Sequence, residues 1–389
     1  MRHPIEARAA VTQLAASRIR EVANVGMGRP DVLAFWFGES DEVTPDFIRT
    51  AAADALAAGD TFYTQNLGLP ALREAIARYQ SVLHRAVPAE SVVVTNSGMS
   101  ALMIATQALV GPGDRVVVVT PVWPNLLEIP RILGASVESV ALRPTPEGWQ
   151  LDLDALISAL TPGTRMLILN SPANPTGWVM DREAQRTVLE HCRRHGIWIL
   201  SDDAYERLVF GGPDAAPSFL DIAEPDDRLV SANTFSKTWR MTGWRLGWLT
   251  APPALVGALG TLVEYNTSCA PGFVQRAGLA ALTQGEADVV AARDRLKASR
   301  DRLLAGLRAI DRVQCPYPDG AMYAFFRIDG LTDSLALCKR LVVEAGVGLA
   351  PGAAFGPEAE GYVRWCFATS VDRIDAGLER FRRGLGAGA

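Results

Sequence analysis

Thr234-Phe235-Ser236-Lys237-Thr238-Trp239-Arg240-Met241-Thr242-Gly243-Trp244-Arg245 follows directly on the strand-like run 229–233, and this stretch decides how the fold is read. A lysine between small hydroxyl residues just past a buried strand is unusual, because lysine seldom sits inside a protein. The Phe, Trp and Met residues around it disfavour a surface position for Lys237 and Arg245. One arginine, the hydroxyls of Thr234 and Ser236, and a tight turn together make a clamp for a dianion. In open α/β sheets, ligands collect outside the carboxyl ends of the strands. The residues that follow each strand are therefore the ones to inspect.

Working outward, short β-branched runs alternate with helical patterns from about residue 47 to 285. Strands are predicted at 92–95, 116–120, 137–142, 166–170, 197–202, 229–233 and 246–250, and helices at 70–85, 100–109, 182–195 and 253–265. Several strands are apolar on both faces, as expected where helices cover both sides of a mostly parallel sheet. The alternation predicts a doubly wound α/β domain. A long charged helix at about 287–310 then leads to strands at 321–328 and 363–368 and helices at 334–345 and 371–383, which fit a smaller α+β domain. Before residue 47 the chain reads as irregular apart from a surface or partner-clasping helix within 1–25, which carries Arg2, Arg8, Arg18 and Arg20.

Three further strand ends carry candidate chemistry. Asn96-Ser97-Gly98-Met99-Ser100 is a strand-to-helix turn whose small residues let backbone N–H groups approach an anion, although any tight turn looks similar. Ser171-Pro172-Ala173-Asn174-Pro175-Thr176-Gly177 reads as a plain loop, or as one that offers Asn174 to a ligand ring. Asp202, in Ser201-Asp202-Asp203-Ala204-Tyr205, is a carboxylate at a buried strand end and needs a partner. A helix cap and a cationic ring nitrogen both satisfy that need.

Taken together, Asn174-Pro175-Thr176-Gly177, Asp202-x-Ala204-Tyr205 and Ser236-Lys237-x-x-x-x-Gly243-x-Arg245 resemble the motifs of class I aminotransferases. This is the aspartate-aminotransferase-like family of fold-type I enzymes that use pyridoxal 5′-phosphate (PLP). The resemblance runs from about Phe37 to the end of the chain. It implies a large domain at 47–285 with a mostly parallel seven-stranded sheet, a small domain at 286–389, and a segment 1–46 that belongs with the small domain. By resemblance, Lys237 forms the Schiff base with PLP, Asp202 keeps the pyridine nitrogen protonated, and Tyr205 and Asn174 hydrogen-bond the phenolic oxygen. Trp123 stacks on the ring. Thr234, Ser236, Arg245 and Ser97-Gly98-Met99 hold the phosphate, and Tyr63 reaches the phosphate of a neighbouring subunit, which implies a homodimer with shared active sites. Arg364 resembles the arginine that forks onto the substrate α-carboxylate, although an arginine on a strand is by itself more often a rim ion pair. Gly38 matches the glycine that leaves room for that carboxylate.

The implied partners are an L-amino acid and a 2-oxo acid. Between Arg245 and Arg276 there is no Lys or Arg, and Met99 stands in the phosphate turn where aspartate-reading relatives resemble a lysine solution. Trp36, Phe35 and Met99 are therefore expected to form an apolar wall favouring a neutral or aromatic donor. Aspartate remains the alternative donor if Arg18 or Arg29 supplies a cation. A PLP-dependent C–S lyase shares the same motifs and is the alternative reaction. A PLP-sensing transcription regulator is disfavoured, because the 46 residues ahead of the large domain show no helix-turn-helix pattern.

Composition narrows the field. Of 389 residues, 49% are apolar and 21% charged, and 38 basic against 43 acidic residues leave a net charge of −5. Nucleic acid is thus not an expected partner. No apolar run approaches membrane-spanning length, so no membrane partner is expected either. Five cysteines, none spaced Cys-x-x-Cys, predict reduced thiols and a cytoplasmic protein. His191 and His195 share a helix with Arg193 and Arg194, and a solvated helix face is expected there rather than a metal site.

Overall fold

The computed structural model describes residues 6–386. Its centre is a seven-stranded sheet in the spatial order Val92–Thr95, Gly247–Thr250, Leu229–Thr234, Trp198–Asp202, Thr164–Asn170, Arg115–Thr120, Ser136–Ala141. Only Gly247–Thr250 runs antiparallel to its neighbours. The period-two geometry of a strand sends alternate residues to opposite faces. Val117, Val119, Leu167 and Leu169 enter one apolar core, while Val116, Val118, Met166 and Ile168 enter the other. This is why these runs are apolar throughout.

Local chemistry sets the helix ends. The Arg182–His195 helix begins where the Asp181 carboxylate accepts the Ala184 N–H at 2.8 Å, and it stops at Gly196, whose φ of 66° is left-handed. Gly247 has a different task. A Cβ there would stand 2.5 Å from the Gly98 backbone nitrogen, so its absence lets the start of the Gly98–Leu109 helix press against the sheet.

The Glu286–Arg308 helix leads to a four-stranded sheet in the order Val313–Gln314, Tyr323–Ile328, Tyr362–Cys366, Ala350–Pro351, and Val371–Gly386 closes the chain as a helix. The predicted helix at 334–345 is not uniform. Ser334–Arg340 is α-helical and Leu341–Ala345 widens into a π turn, ending at Gly346 with φ 66°.

The amino-terminal segment holds a surface helix. Arg18–Gly26 is capped by Ser17, and its buried face, Ile19, Val22, Ala23 and Gly26, packs on the chain's own carboxyl-terminal part while Arg18, Arg20 and Glu21 stay exposed. Leu33–Ala34 pairs in parallel with Val347–Gly348. The Ala-rich helix Asp46–Ala57 and the helix Gly272–Gln284 were not predicted, because runs of alanine and glycine give little polar contrast. His191 also departs from expectation. It is buried, its Nε2 lies 2.7 Å from the Leu160 carbonyl oxygen, and its ring is tilted against that of His195 with centres 4.6 Å apart. Arg2 lies outside the described residues. Among those described, no helix is long and apolar enough to cross a membrane and no His/Cys/Asp/Glu group is arranged to hold a metal.

Candidate active site

The carboxyl ends of four strands open into a cleft of about 490 Å³. Fourteen positions were singled out from the sequence, and twelve line this cleft: Gly38, Gly98, Met99, Trp123, Asn174, Asp202, Tyr205, Thr234, Ser236, Lys237, Arg245 and Arg364.

Lys237 follows the Leu229–Thr234 strand and donates from Nζ to the Gly38 carbonyl oxygen at 2.5 Å. Burial pushes its ammonium down to about 8, and Arg364 and Arg245 push in the same direction. Asp202 ends the Trp198–Asp202 strand. Its Oδ1 accepts a single long bond from the Ala204 N–H at 3.3 Å, and it has no ion pair among the described residues. Burial lifts its carboxyl to about 7, with the neighbouring Asp203 adding to the rise. Asp202 therefore caps no helix and has no ion-pair partner among the described residues, although Lys237 acts on it through space and opposes the rise.

The anion-binding end is built from a helix start and two hydroxyls. The Gly98–Leu109 helix begins at the cleft, while the Ser97 hydroxyl, off the cleft, accepts the Ser100 N–H at 3.2 Å as its cap. Ser97 holds a φ of 111°, which turns the chain sharply into the helix. Thr234 Oγ1 lies 2.9 Å from Ser236 Oγ and accepts the Ser236 N–H at 3.1 Å. Arg245 is exposed, against the inward position expected from its Phe, Trp and Met neighbours; it is left-handed at φ 54° and donates to the Thr242 carbonyl at 2.7 Å. Two hydroxyls, a guanidinium and a helix N-terminus thus converge on one spot, which suits a phosphate.

At the other end, Arg364 is buried on the strand Tyr362–Cys366 and makes no ion pair among the described residues. Its Nη1 donates to Asn174 Oδ1 at 2.8 Å, its Nη2 donates to the Trp36 carbonyl, and its Nε has no partner. A buried guanidinium left partly unpaired is costly unless a ligand completes it.

The structure redraws the apolar wall. Phe35 and Trp36 are core residues, Phe35 against Trp365 at 4.8 Å between ring centres and Trp36 against Gly26 and Gly348. The wall consists instead of Ile19, Phe37, Met99, Leu102 and Trp123. Neither Arg18 nor Arg29 reaches it, since Arg18 bonds the Ala353 carbonyl and Arg29 pairs with Asp31 at 2.6 Å. Arg20 does reach it, with its guanidinium 4.8 Å from the centre of the Phe37 ring. No sequence signal separates Arg20 from its neighbours. Ile19, Phe37, Leu102 and Tyr323 were also missed by sequence reasoning; the signal for Tyr323 was a polar hydroxyl within the apolar strand Tyr323–Ile328. Tyr63 stands outside the cleft and is 88% exposed.

The model of the family described as aminotransferase class I and II matches residues 31–381. The chain is 34% identical to the aspartate/prephenate aminotransferase of Thermus thermophilus, over 92% of this chain and 91% of that protein. It is also 34% identical to an arginine–pyruvate transaminase of Pseudomonas aeruginosa, over 89% and 87% of the two chains. Among solved structures, a Thermus thermophilus aspartate aminotransferase with maleate superposes with a TM-score of 0.90 at 33% identity, covering 99% of this chain and all of that one. An aromatic aminotransferase from Pyrococcus horikoshii superposes at 0.86 with 29% identity, covering 95% and 99%. Fold, cleft and sequence agree: the chain belongs to the class I and II aminotransferases, fold-type I enzymes that transfer amino groups with the help of pyridoxal phosphate.

Proposed function

We propose that the chain transfers the amino group of a neutral or aromatic L-amino acid to a 2-oxo acid, with Lys237 as the amine that bonds the cofactor. One observation carries this reading: a desolvated lysine lies in one cleft with an unpaired buried carboxylate, Asp202, and a buried arginine whose Nε is unpaired. The donor set fits PLP. Asp202 lacks the cation that a pyridinium nitrogen provides, and the Gly98 turn with Thr234, Ser236 and Arg245 provides what a phosphate dianion needs. Asn174, Tyr205 and Trp123 line the same cleft, where the first two would bond the ring's phenolic oxygen and Trp123 would cover a ring face.

When bound, the cofactor supplies an aldehyde carbon and an electron-withdrawing ring. The protein's own residues do the rest. Lys237 Nζ, made less basic by burial, is neutral often enough near pH 8 to act as nucleophile. Once free, it takes the proton from the substrate Cα. Arg364 holds the substrate α-carboxylate and fixes which Cα bond faces that amine. The Phe37, Met99, Leu102 and Trp123 wall accepts an apolar side chain. Arg20 is exposed and stacked on Phe37 rather than buried against the site. A solvated cation adds only a modest pull on a carboxylate, which suits a dicarboxylic 2-oxo acid as acceptor without making aspartate the preferred donor.

The proposal extends to assembly. Phe62, Tyr63 and Tyr265 are each more than 80% exposed, and we read these aromatics as part of a homodimer face through which Tyr63 reaches the neighbouring phosphate site. It also keeps residues 1–46 with the 286–389 domain, supported by the Leu33–Ala34 pairing with Val347–Gly348, while Arg8 and Thr44 at the two ends of the segment bond the Ile132 and Arg240 carbonyls of the 47–285 domain. The test is kcat/KM for aspartate against phenylalanine, leucine and methionine on the PLP-loaded protein. A tenfold preference for aspartate overturns the donor assignment. Release of pyruvate and ammonia in place of amino transfer overturns the reaction.

A further inference from the structure

We infer that Tyr323 is a positioning residue that orients the Tyr205 hydroxyl and ties it to Arg364; the inference rests on the proposed role of Tyr205. The two hydroxyls are 2.7 Å apart, both side chains are buried, and the rings meet edge to face at 5.7 Å. Each hydroxyl has one proton, so the pair has a direction. If Tyr205 donates into the cleft, its oxygen must accept from Tyr323. That places Tyr323 as the donor behind Tyr205, and a chain of two hydroxyls polarises the outer one into a stronger donor.

Arg364 sets this arrangement from the other side. Its guanidinium carbon lies 4.4 Å from the centre of the Tyr323 ring, close enough for a cation–π contact. A cation against the ring makes the phenol a better donor. The Tyr323 hydroxyl lies in the space that Gly38 leaves free, since a Cβ at Gly38 would collide with it. The same Gly38 carbonyl receives the Lys237 Nζ hydrogen bond. Tyr323 thus touches, directly or through one residue, the carboxylate-binding arginine, the lysine's resting partner and the tyrosine that faces the cofactor.

The experiment uses the PLP-loaded protein and reads the midpoint of its visible absorbance against pH, together with kcat and KM. With Tyr323→Phe the ring stays against Arg364 and only the hydroxyl is lost. Tyr205 then donates more weakly to the phenolic oxygen, which holds the proton on the Lys237 nitrogen more tightly. The midpoint should rise by about half a pH unit or more, with kcat falling more than KM changes. Replacing residue 323 by 3-fluorotyrosine, a more acidic phenol of almost the same shape, should lower it. Tyr205→Phe should raise the midpoint further, and adding Tyr323→Phe to that background should change nothing more. If Tyr205→Phe shifts the midpoint while neither change at 323 does, Tyr323 has no such role and the Tyr205 assignment stands. If Tyr205→Phe leaves the midpoint in place, the assignment of Tyr205 fails and this inference with it.

Discussion

Replacing Asp202 by asparagine is expected to stabilise the cofactor-free protein while crippling the loaded enzyme. Burial lifts this carboxyl from 3.8 to about 7. A displacement of about three pH units corresponds to ~4 kcal/mol. The sign follows from proton binding. Between those two values the unfolded chain has released the proton and the folded chain still holds it, so wild-type stability falls as pH rises and the full cost is present above pH 7. Asparagine has no proton to lose. The stability difference between D202N and wild type should therefore be small near pH 4, grow by ~1.4 kcal/mol per pH unit, and level off above about pH 7. Urea denaturation of the two cofactor-free proteins across this range measures it. A flat difference, or a more stable wild type at pH 8, refutes the account of Asp202 as an unpaired buried carboxylate. In the loaded enzyme the effect reverses, because an amide stabilises a pyridinium poorly, and turnover should fall by orders of magnitude with PLP still bound. Unchanged turnover at full occupancy removes Asp202 from the role proposed for it.

Borohydride reduction of the loaded protein should fix PLP on Lys237, and Lys237→Ala should bind PLP at the phosphate site yet lose nearly all amino transfer; peptide mapping that finds the label on another lysine contradicts the assignment. Arg364→Lys replaces a two-point fork by a single point charge and should raise KM for the amino acid by about 30- to 100-fold, or 2–3 kcal/mol, with a far smaller change in PLP affinity. Arg20→Gln should lower kcat/KM for 2-oxoglutarate by about two- to fivefold, the scale of an exposed ion pair, and leave leucine and phenylalanine unaffected; equal losses for all substrates would make Arg20 structural. Gly38→Ala should cost about 1–3 kcal/mol by overpacking against Tyr323, and thermal denaturation should show part of that loss recovered when Tyr323→Phe is added.

Much of this protein is determined by sequence alone. Apolar runs flanked by helical periods fixed the seven-strand sheet to within a residue or two, because a strand covered on both faces has no polar position to blur its ends. The cleft residues were legible because their chemistry conflicts with their surroundings. A lysine after a buried strand and an aspartate at a strand end each need a partner that local structure does not offer, whereas Arg364 stood out only through the family resemblance. What only the tertiary structure decided lies where distant segments meet. Arg20 and Phe37 reach the cleft because helix Arg18–Gly26 packs on the carboxyl-terminal part of the chain, and that packing leaves no trace in local periodicity. Trp36 fell into the core because Gly348 and Gly26 make room for its ring, a fit between residues more than 300 positions apart. Tyr323 met Tyr205 across 118 positions. A hydrogen bond or ring contact of this kind depends on side-chain placement to within about an ångström, and that is fixed only when the whole chain has packed.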